Sequence, residues 1–349
     1  MTNYNRIIKK SSVLLCMFIC TNSFAQYATT ITITDVNNTE LQKRMELNAS
    51  YLLTTINNAF FNNKTPELNV TNINPTAISP ILALWETSIF RCYETQIITK
   101  AAIVPGGGYE IRNIPLFIKE ADSTNQYQEA VINFDSKGKI VDLRIGLEEQ
   151  QVIRILKINI SEKEYRRRQI ILNFIESYRT AYNRKDIDFL NKIFSVDALV
   201  VKIKLPIDVV VYNVPYEKII NTKLIIPDTA KGKSQKVSYE TIRYMKLTKS
   251  GYLSSLRKYV FEKNNYINIR FDEIEIDQHP KYSEIYGVTL KQIWNTTYYS
   301  DAGYLFLMID FTDEEKPIIL VRTWQPEKVN NESLKKEELL KLSDFDIIR

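Results

Sequence analysis

Residues 168–201, RQIILNFIESYRTAYNRKDIDFLNKIFSVDALVV, decide how this chain of 349 residues folds. Ile171, Phe174, Ile175, Tyr178, Ala181 and Tyr182 recur at steps of three and four, so they form one apolar stripe along a helix. Asn183, Arg184 and Lys185 break the period. Asp186 is then a good N-cap, because its carboxylate can accept from the free backbone N–H groups of a following turn and its charge suits the helix dipole. Leu190, Ile193 and Phe194 give the second, short helix its apolar face, and Leu199, Val200 and Val201 predict a strand after it.

Composition sets the wider bounds. With 44% hydrophobic and 25% charged residues the chain is ordinary globular material, and its length suggests two domains. Only the start differs. Arg6, Lys9 and Lys10 precede an apolar run from Val13 to Cys20, and Ser23-Phe24-Ala25 places small residues three apart, which predicts a signal peptide over 1–25 cleaved before Gln26. The product is expected to be exported, periplasmic or extracellular, without stable membrane insertion, since the run is too short to span a bilayer. Cleavage removes three basic residues and no acidic one from a formal charge of +5, so the mature chain is nearly neutral and nucleic acid is an unexpected partner. It also removes Cys16 and Cys20. Cys92 is left alone, predicted as a buried thiol beside Phe90 and Tyr93.

The first half repeats the helix-then-strands order. Met45, Ala49, Leu52, Ile56, Ala59 and Phe60 mark a helix after the capping candidates Asn38 and Thr39, and Pro80 is expected to start a short helix carrying Leu84 and Trp85. Segments 94–104 and 109–119 flank Pro105-Gly106-Gly107-Gly108, and 127–134 and 139–147 flank Asp135-Ser136-Lys137-Gly138, so both pairs read as hairpins. The glycine run lacks a Walker lysine and a following helix, and is expected to be a turn without a ligand. Arg166-Arg167-Arg168 reads as a solvated face answering Glu148, Glu149, Glu162 and Glu164.

Beyond Val201, residues 202–250 mix β-branched residues with prolines and a polar run, predicting strands around an exposed loop. Tyr252 to Lys263 returns to helical spacing. Ile267, Ile269 and Phe271 alternate, then shift phase to Ile274 and Ile276 across Asp272-Glu273, as a β-bulge requires. Strands over 284–297, 303–311 and 317–325 follow, and from Ser333 a polar helix or frayed end is expected.

Helix, short helix, strand, insert, helix and four antiparallel strands, with a bulge to curl the sheet, make this half resemble the nuclear transport factor 2-like superfamily, the SnoaL and ketosteroid isomerase-like group. The resemblance rests on Tyr178, Ala181, Tyr182, Asp186, Phe194, Asp197 and Ala198 and on the closing strands through Trp324. It implies an α+β fold in which a curled antiparallel sheet packs on helices as a cone. The first half resembles a reduced copy, ending in a hairpin through Phe134 and Ile140. The expected organisation is a leader at 1–25, a reduced domain at 26–148, a linker at 149–164, a full domain at 165–327 and a polar tail at 328–349. Together the halves resemble secreted bacterial proteins carrying two such units.

The superfamily includes isomerases, dehydratases and cyclases that use Asp, His or Tyr inside the cone, and many members without chemistry, so fold alone does not decide activity. The chain has one histidine, His279, in Asp277-Gln278-His279-Pro280-Lys281, expected in an exposed turn. Histidine and cysteine counts argue against a metal site, no Gly-x-Ser-x-Gly motif occurs, and no cofactor is expected. An aromatic-rich concave face remains. Tyr286, Val288, Leu290, Gln292 and Trp294 share one side of a strand, as do Leu320, Arg322 and Trp324. Tyr286, Trp294, Tyr304, Arg322 and Trp324 are therefore the ligand-binding candidates. The expected function is a non-catalytic envelope module that binds a protein, peptide or glycan through a sheet face or the cone. The alternative is a lyase or isomerase with Asp310 or Asp277 as base and Tyr286 or Tyr304 as acid. Apolar residues at both parities, as in Ile318 to Val321, also predict sheet-mediated packing between the halves or in a homodimer.

Overall fold

The computed structural model describes residues 27–104, 107–119, 125–156, 160–204, 209–211, 235–237, 243–329 and 332–345. The leader expected at 1–25, Gln26 and most of 202–250 lie outside them. The chain forms two compact units, one of residues 1–185 with Asn265–Asn268 and one of Asp186–Asn264 with Ile269–Arg349. The sequence placed the divide at 149–164; by compactness it falls after Lys185, because the long helix belongs with the first unit. Part of the expected linker, Glu149–Leu156, is itself helical. Both units are α+β with antiparallel-rich sheets on helices, the fold class expected from sequence. Among the described residues no helix is long and apolar enough to cross a membrane.

In the first unit, strand β1 (Thr30–Thr34) runs parallel to β3 (Gln96–Val104), and β3, β4 (Gly108–Lys119), β5 (Asn125–Phe134) and β6 (Ile140–Gly146) form a meander, with β2 (Phe90–Cys92) on β4. Helix α1 (Thr39–Phe61) starts where Asn38 accepts from the Leu41 N–H at 3.0 Å. Helix α2 (Pro75–Thr87) starts five residues earlier than expected. Asn74 caps it and Pro75 occupies the first turn, where a missing N–H costs nothing, and Pro80 lies inside the helix. Met45, Leu52, Ile56, Ile81 and Leu84 from these helices meet Ile111, Leu116, Ile132 and Ile145 in one apolar core, and Cys92 is buried beside it as a free thiol.

The other face of this sheet carries a buried cluster of charged groups where α4 (Glu162–Asn183) packs against β6; α3 is the short helix Glu149–Leu156. Glu176, fully buried, accepts from the Leu147 N–H at 2.7 Å, from Arg144 Nε at 3.2 Å and from both terminal nitrogens of Arg112. Glu110 accepts from Arg144 at 2.5 Å and from Arg112 at 2.8 Å. Burial alone would raise the Glu110 pKa; the two guanidiniums outweigh it and hold the carboxyl below its usual range. Gly146 lets β6 lie close to β5, since a Cβ there would stand 2.8 Å from the Val131 side chain. Arg168 pairs with Glu164 at 2.8 Å as expected, but Arg167 is buried and so departs from the expected solvated face.

The short helix that opens the second unit is capped as its sequence predicts. Asp186 accepts from the Phe189 N–H at 2.8 Å to start α5 (Ile187–Ile193), which leads directly into β7 (Phe194–Lys204). Two short strands, β8 (Val209–Val211) and β9 (Gln235–Val237), pair with each other, and β10 (Arg243–Leu247) precedes α6 (Lys249–Leu256). The sheet runs β10, β7, β14 (Ile318–Pro326), β13 (Ser300–Asp310), β12 (Ile285–Thr296), β11 (Ile267–Gln278); β10 with β7, β14 with β13 and β13 with β12 are antiparallel, and β7 with β14 is parallel. Glu273, at φ 48°, takes the left-handed conformation at the expected break in β11. This order, with first and last strands side by side, is the nuclear transport factor 2-like cone.

The tail differs from expectation. Lys328–Val329 (β15) pairs with Glu332–Ser333 (β16), and two short turns then carry Leu342 and Phe345 onto the outer sheet face, against Ile285, Phe306, Met308 and Val321. The Phe345 ring stacks on Phe306 at 5.4 Å. Gln325 fixes the strap by donating to the Glu338 carbonyl at 3.1 Å and accepting from the Leu340 N–H at 2.7 Å. Gly287 is its seat: a Cβ there would lie 3.1 Å from Leu342.

Candidate functional site

The inner face of the second sheet opens into a cavity of about 300 Å³. Register explains its walls. Trp294 pairs with Asp301, Gln292 with Gly303, Leu305 with Trp324 and Leu307 with Arg322, so these side chains share one face of three adjacent strands. Gly303 decides where an indole lies, because a Cβ there would stand 2.9 Å from two ring atoms of Trp324. Without one, the ring settles against the strand.

The opposite wall comes from α6 and the five-residue π-helical turn after it, Arg257–Phe261. The wide turn brings Tyr259 and Val260 to the cavity beside Tyr252 and Leu256, and Asn264 follows. Arg322, 4% exposed, lies with its guanidinium carbon 5.0 Å from the centre of the Tyr252 ring. At the mouth, the Tyr299 hydroxyl donates to Asp301, whose other oxygen accepts from the Ala302 N–H at 2.8 Å. Partial burial and the Asp301 carboxylate push the Tyr299 phenol up, so it stays protonated. The cavity thus combines aromatic faces with amide, guanidinium, hydroxyl and carboxylate groups.

Of the ligand candidates read from sequence, Trp294, Arg322 and Trp324 come together here. Tyr286 shares their face but lies deeper, 2% exposed and edge-on to Phe311 at 5.7 Å. Tyr304 faces the other way, level with Lys291 and Gln325. Leu320 also leaves the expected side, because the register shifts between Ile319 and Val321 and puts it against the outer cluster. The candidate acid and base groups are dispersed. Asp310 pairs in register with Ile285 on the outer face and accepts from the Thr312 N–H at 2.8 Å. Asp277 is exposed beside a separate depression near the strap, together with His279, Lys281 and Phe345. His279 Nδ1 accepts from the Lys281 and Tyr282 N–H groups at 3.1 and 3.2 Å, which fixes the half-buried ring in its turn. Among the described residues no group of three or more His, Cys, Asp or Glu is placed to hold a metal.

Sequence reasoning missed Asp301, Tyr299, Tyr252, Tyr259 and Asn264. Asp301 and Tyr299 read as turn residues. Only the register that sets Asp301 opposite Trp294 shows that this turn borders the cavity.

No family model and no curated protein matches the chain. Among solved structures it is similar to Bd1075 of Bdellovibrio bacteriovorus, at 15% identity over 55% of this chain and 57% of that one, with a TM-score of 0.32. It is also similar to naphthalene 1,2-dioxygenase with indole bound in its active site, at 7% identity over 54% and 93% with a TM-score of 0.31. A third is ActVI-ORFA from Streptomyces coelicolor, at 10% identity over 46% and 96% with a TM-score of 0.28. The match spans little more than half of the Bdellovibrio chain. Sheet order and the parallel pairing of β7 with β14 carry the description of the cone.

Proposed function

We propose that this chain is an exported, non-catalytic binding module of the bacterial envelope whose cone cavity holds a saccharide ring of an envelope glycan. The observation that carries the reading is the pairing of aromatic walls, Trp294, Trp324, Tyr252 and Tyr259, with the planar hydrogen-bonding groups of Gln292, Asn264, Asp301 and Arg322 in one cavity of about 300 Å³. Such a volume lies at the lower end of small-ligand sites. A sugar ring presents apolar C–H groups on its faces and hydroxyls at its edge. The former suit indole and phenol rings, and the latter suit amides and charged groups that can donate or accept in pairs.

Support for a non-catalytic role comes from the dispersal of Asp310, Asp277, Tyr286 and Tyr304. The carboxylate that does reach the cavity, Asp301, is tied to its own turn by the Tyr299 hydroxyl and the Ala302 N–H, an arrangement that suits holding a hydroxyl edge. Export rests on the leader read in 1–25, and the mass of the mature protein from a producing bacterium tests it: retention of Met1 to Ala25 counts against export. Incubating the protein with a panel of soluble envelope oligosaccharides, then comparing binding by calorimetry with product analysis by mass spectrometry, tests the rest. Binding with unchanged oligosaccharides is expected; turnover abolished by Asp301→Asn would establish the enzyme instead.

A further inference from the structure

The first unit carries an exposed aromatic strip that its core does not use. Tyr27 stacks on Phe61 at 4.0 Å, Arg91 lies 5.5 Å from the Phe61 ring and 5.2 Å from Phe117, and Phe117 meets Tyr93 at 4.6 Å and Tyr127 at 6.4 Å. Arg91, Phe117 and Tyr127 are register neighbours on β2, β4 and β5, so the strip crosses the sheet from strand to strand. Phe61, Tyr93 and Tyr127 are 43%, 53% and 47% exposed. Singly exposed aromatics are ordinary, but a continuous row of them marks an interaction surface.

One end of the row is acidic. The Tyr127 hydroxyl lies 3.4 Å from Glu129 Oε1, while Glu129 Oε2 is buried and has no hydrogen-bond partner among the described residues. Burial, then the neighbouring Glu149 and Glu148, raises the Glu129 pKa; Glu148 and Glu94 also act on Tyr127. Arg112, which lowers the Glu129 pKa by its charge, is itself held by Glu110 and Glu176. An aromatic face bordered by carboxylates complements a cation on a partly apolar stem.

We propose that this strip docks a basic peptide segment, with a lysine or arginine side chain lying on the Tyr127 ring and ending at Glu129, and its apolar neighbours on Phe117, Tyr93 and Phe61. This site is independent of the cone cavity. The test is fluorescence polarisation of a labelled peptide of alternating lysine and leucine against a glutamate–leucine control, using the full mature chain. The lysine peptide should bind, and Glu129→Gln and Tyr127→Ser should each weaken it about tenfold while Trp324→Ala leaves it unchanged. Glu148→Gln with Glu149→Gln, both at the surface, should weaken it too and does not depend on refolding the strip. Equal binding of the glutamate peptide, insensitivity to all of these variants, or equal affinity for spermidine would overturn the proposal. So would a dimer in solution that Tyr127→Ser dissociates, since the strip would then be covered by a second copy.

Discussion

Replacing Glu176 by Gln should destabilise the first unit by about 3 kcal/mol, near the low end for breaking a buried ion pair. Glu176 is fully buried between α4 and the sheet, and its carboxylate answers Arg112, Arg144 and the Leu147 N–H together. The amide can still accept from Leu147, but it removes the charge and can turn a donor toward guanidiniums that are themselves donors. Glu110 would then face both arginines, helped by Asp142, which stands 3.7 Å from Arg144. That residual pairing is why the low end is expected. For a unit of this size the loss corresponds to a fall of roughly 6–12 °C in the melting transition. The chain has three tryptophans, and Trp85 is the one in the first unit, so its fluorescence in a Trp294→Phe, Trp324→Phe background reports this transition separately. The paired replacement Glu176→Leu with Arg112→Met should cost less than the two single changes added, because each leaves an unanswered charge only when made alone. A Glu176→Gln effect under about 0.5 kcal/mol would refute the view that this cluster clamps the helix.

The same cluster sets a pH dependence. Glu110 has a folded-state pKa below its usual 4.5, so its stabilisation is present above that value and is lost as pH falls through the lower folded value; the Trp85 transition should drop in that window, and an unchanged slope in Glu110→Gln would contradict the assignment. Gly303→Ala would place a methyl against the Gln325 carbonyl and 2.9 Å from the Trp324 ring, so it should cost the second unit about 1–3 kcal/mol and shift the Trp324 emission; a native spectrum and melting point would count against the seating of that ring. Replacing Leu342 and Phe345 by Ala should release the strap, raising dye binding at the outer sheet face and early proteolysis after residue 334, whereas an unchanged digest would show that the strap does not depend on these side chains.

Local signals carried well from sequence to structure. Asn38 and Asp186 cap helices because short acceptor side chains before an apolar period have few other uses, and the phase change at Asp272-Glu273 marks a real change of backbone at Glu273. Pro80 misled because two prolines competed for one helix start and Asn74 favours Pro75. Glu110, Arg112, Arg144 and Glu176 have no common spacing, so only their register and the placement of α4 unite them. Leu342 and Phe345 are isolated apolar residues in a polar stretch, without a period to announce them. The cavity was half legible: strand alternation gave Trp294, Arg322 and Trp324, while the helical wall and the Asp301 turn required the fold.

The most direct measurement for the proposed saccharide site is a titration of the protein with N-acetylhexosamine oligomers, read by indole fluorescence and by calorimetry in parallel. The cone-cavity account predicts a saturable change in indole emission that matches the calorimetric isotherm. Binding should fall about tenfold or more in Trp324→Ala and in Gln292→Ala, while Tyr304→Phe on the opposite face leaves it unchanged. Saturable binding that survives both cavity variants, or no binding across a broad panel of envelope saccharides, would contradict it.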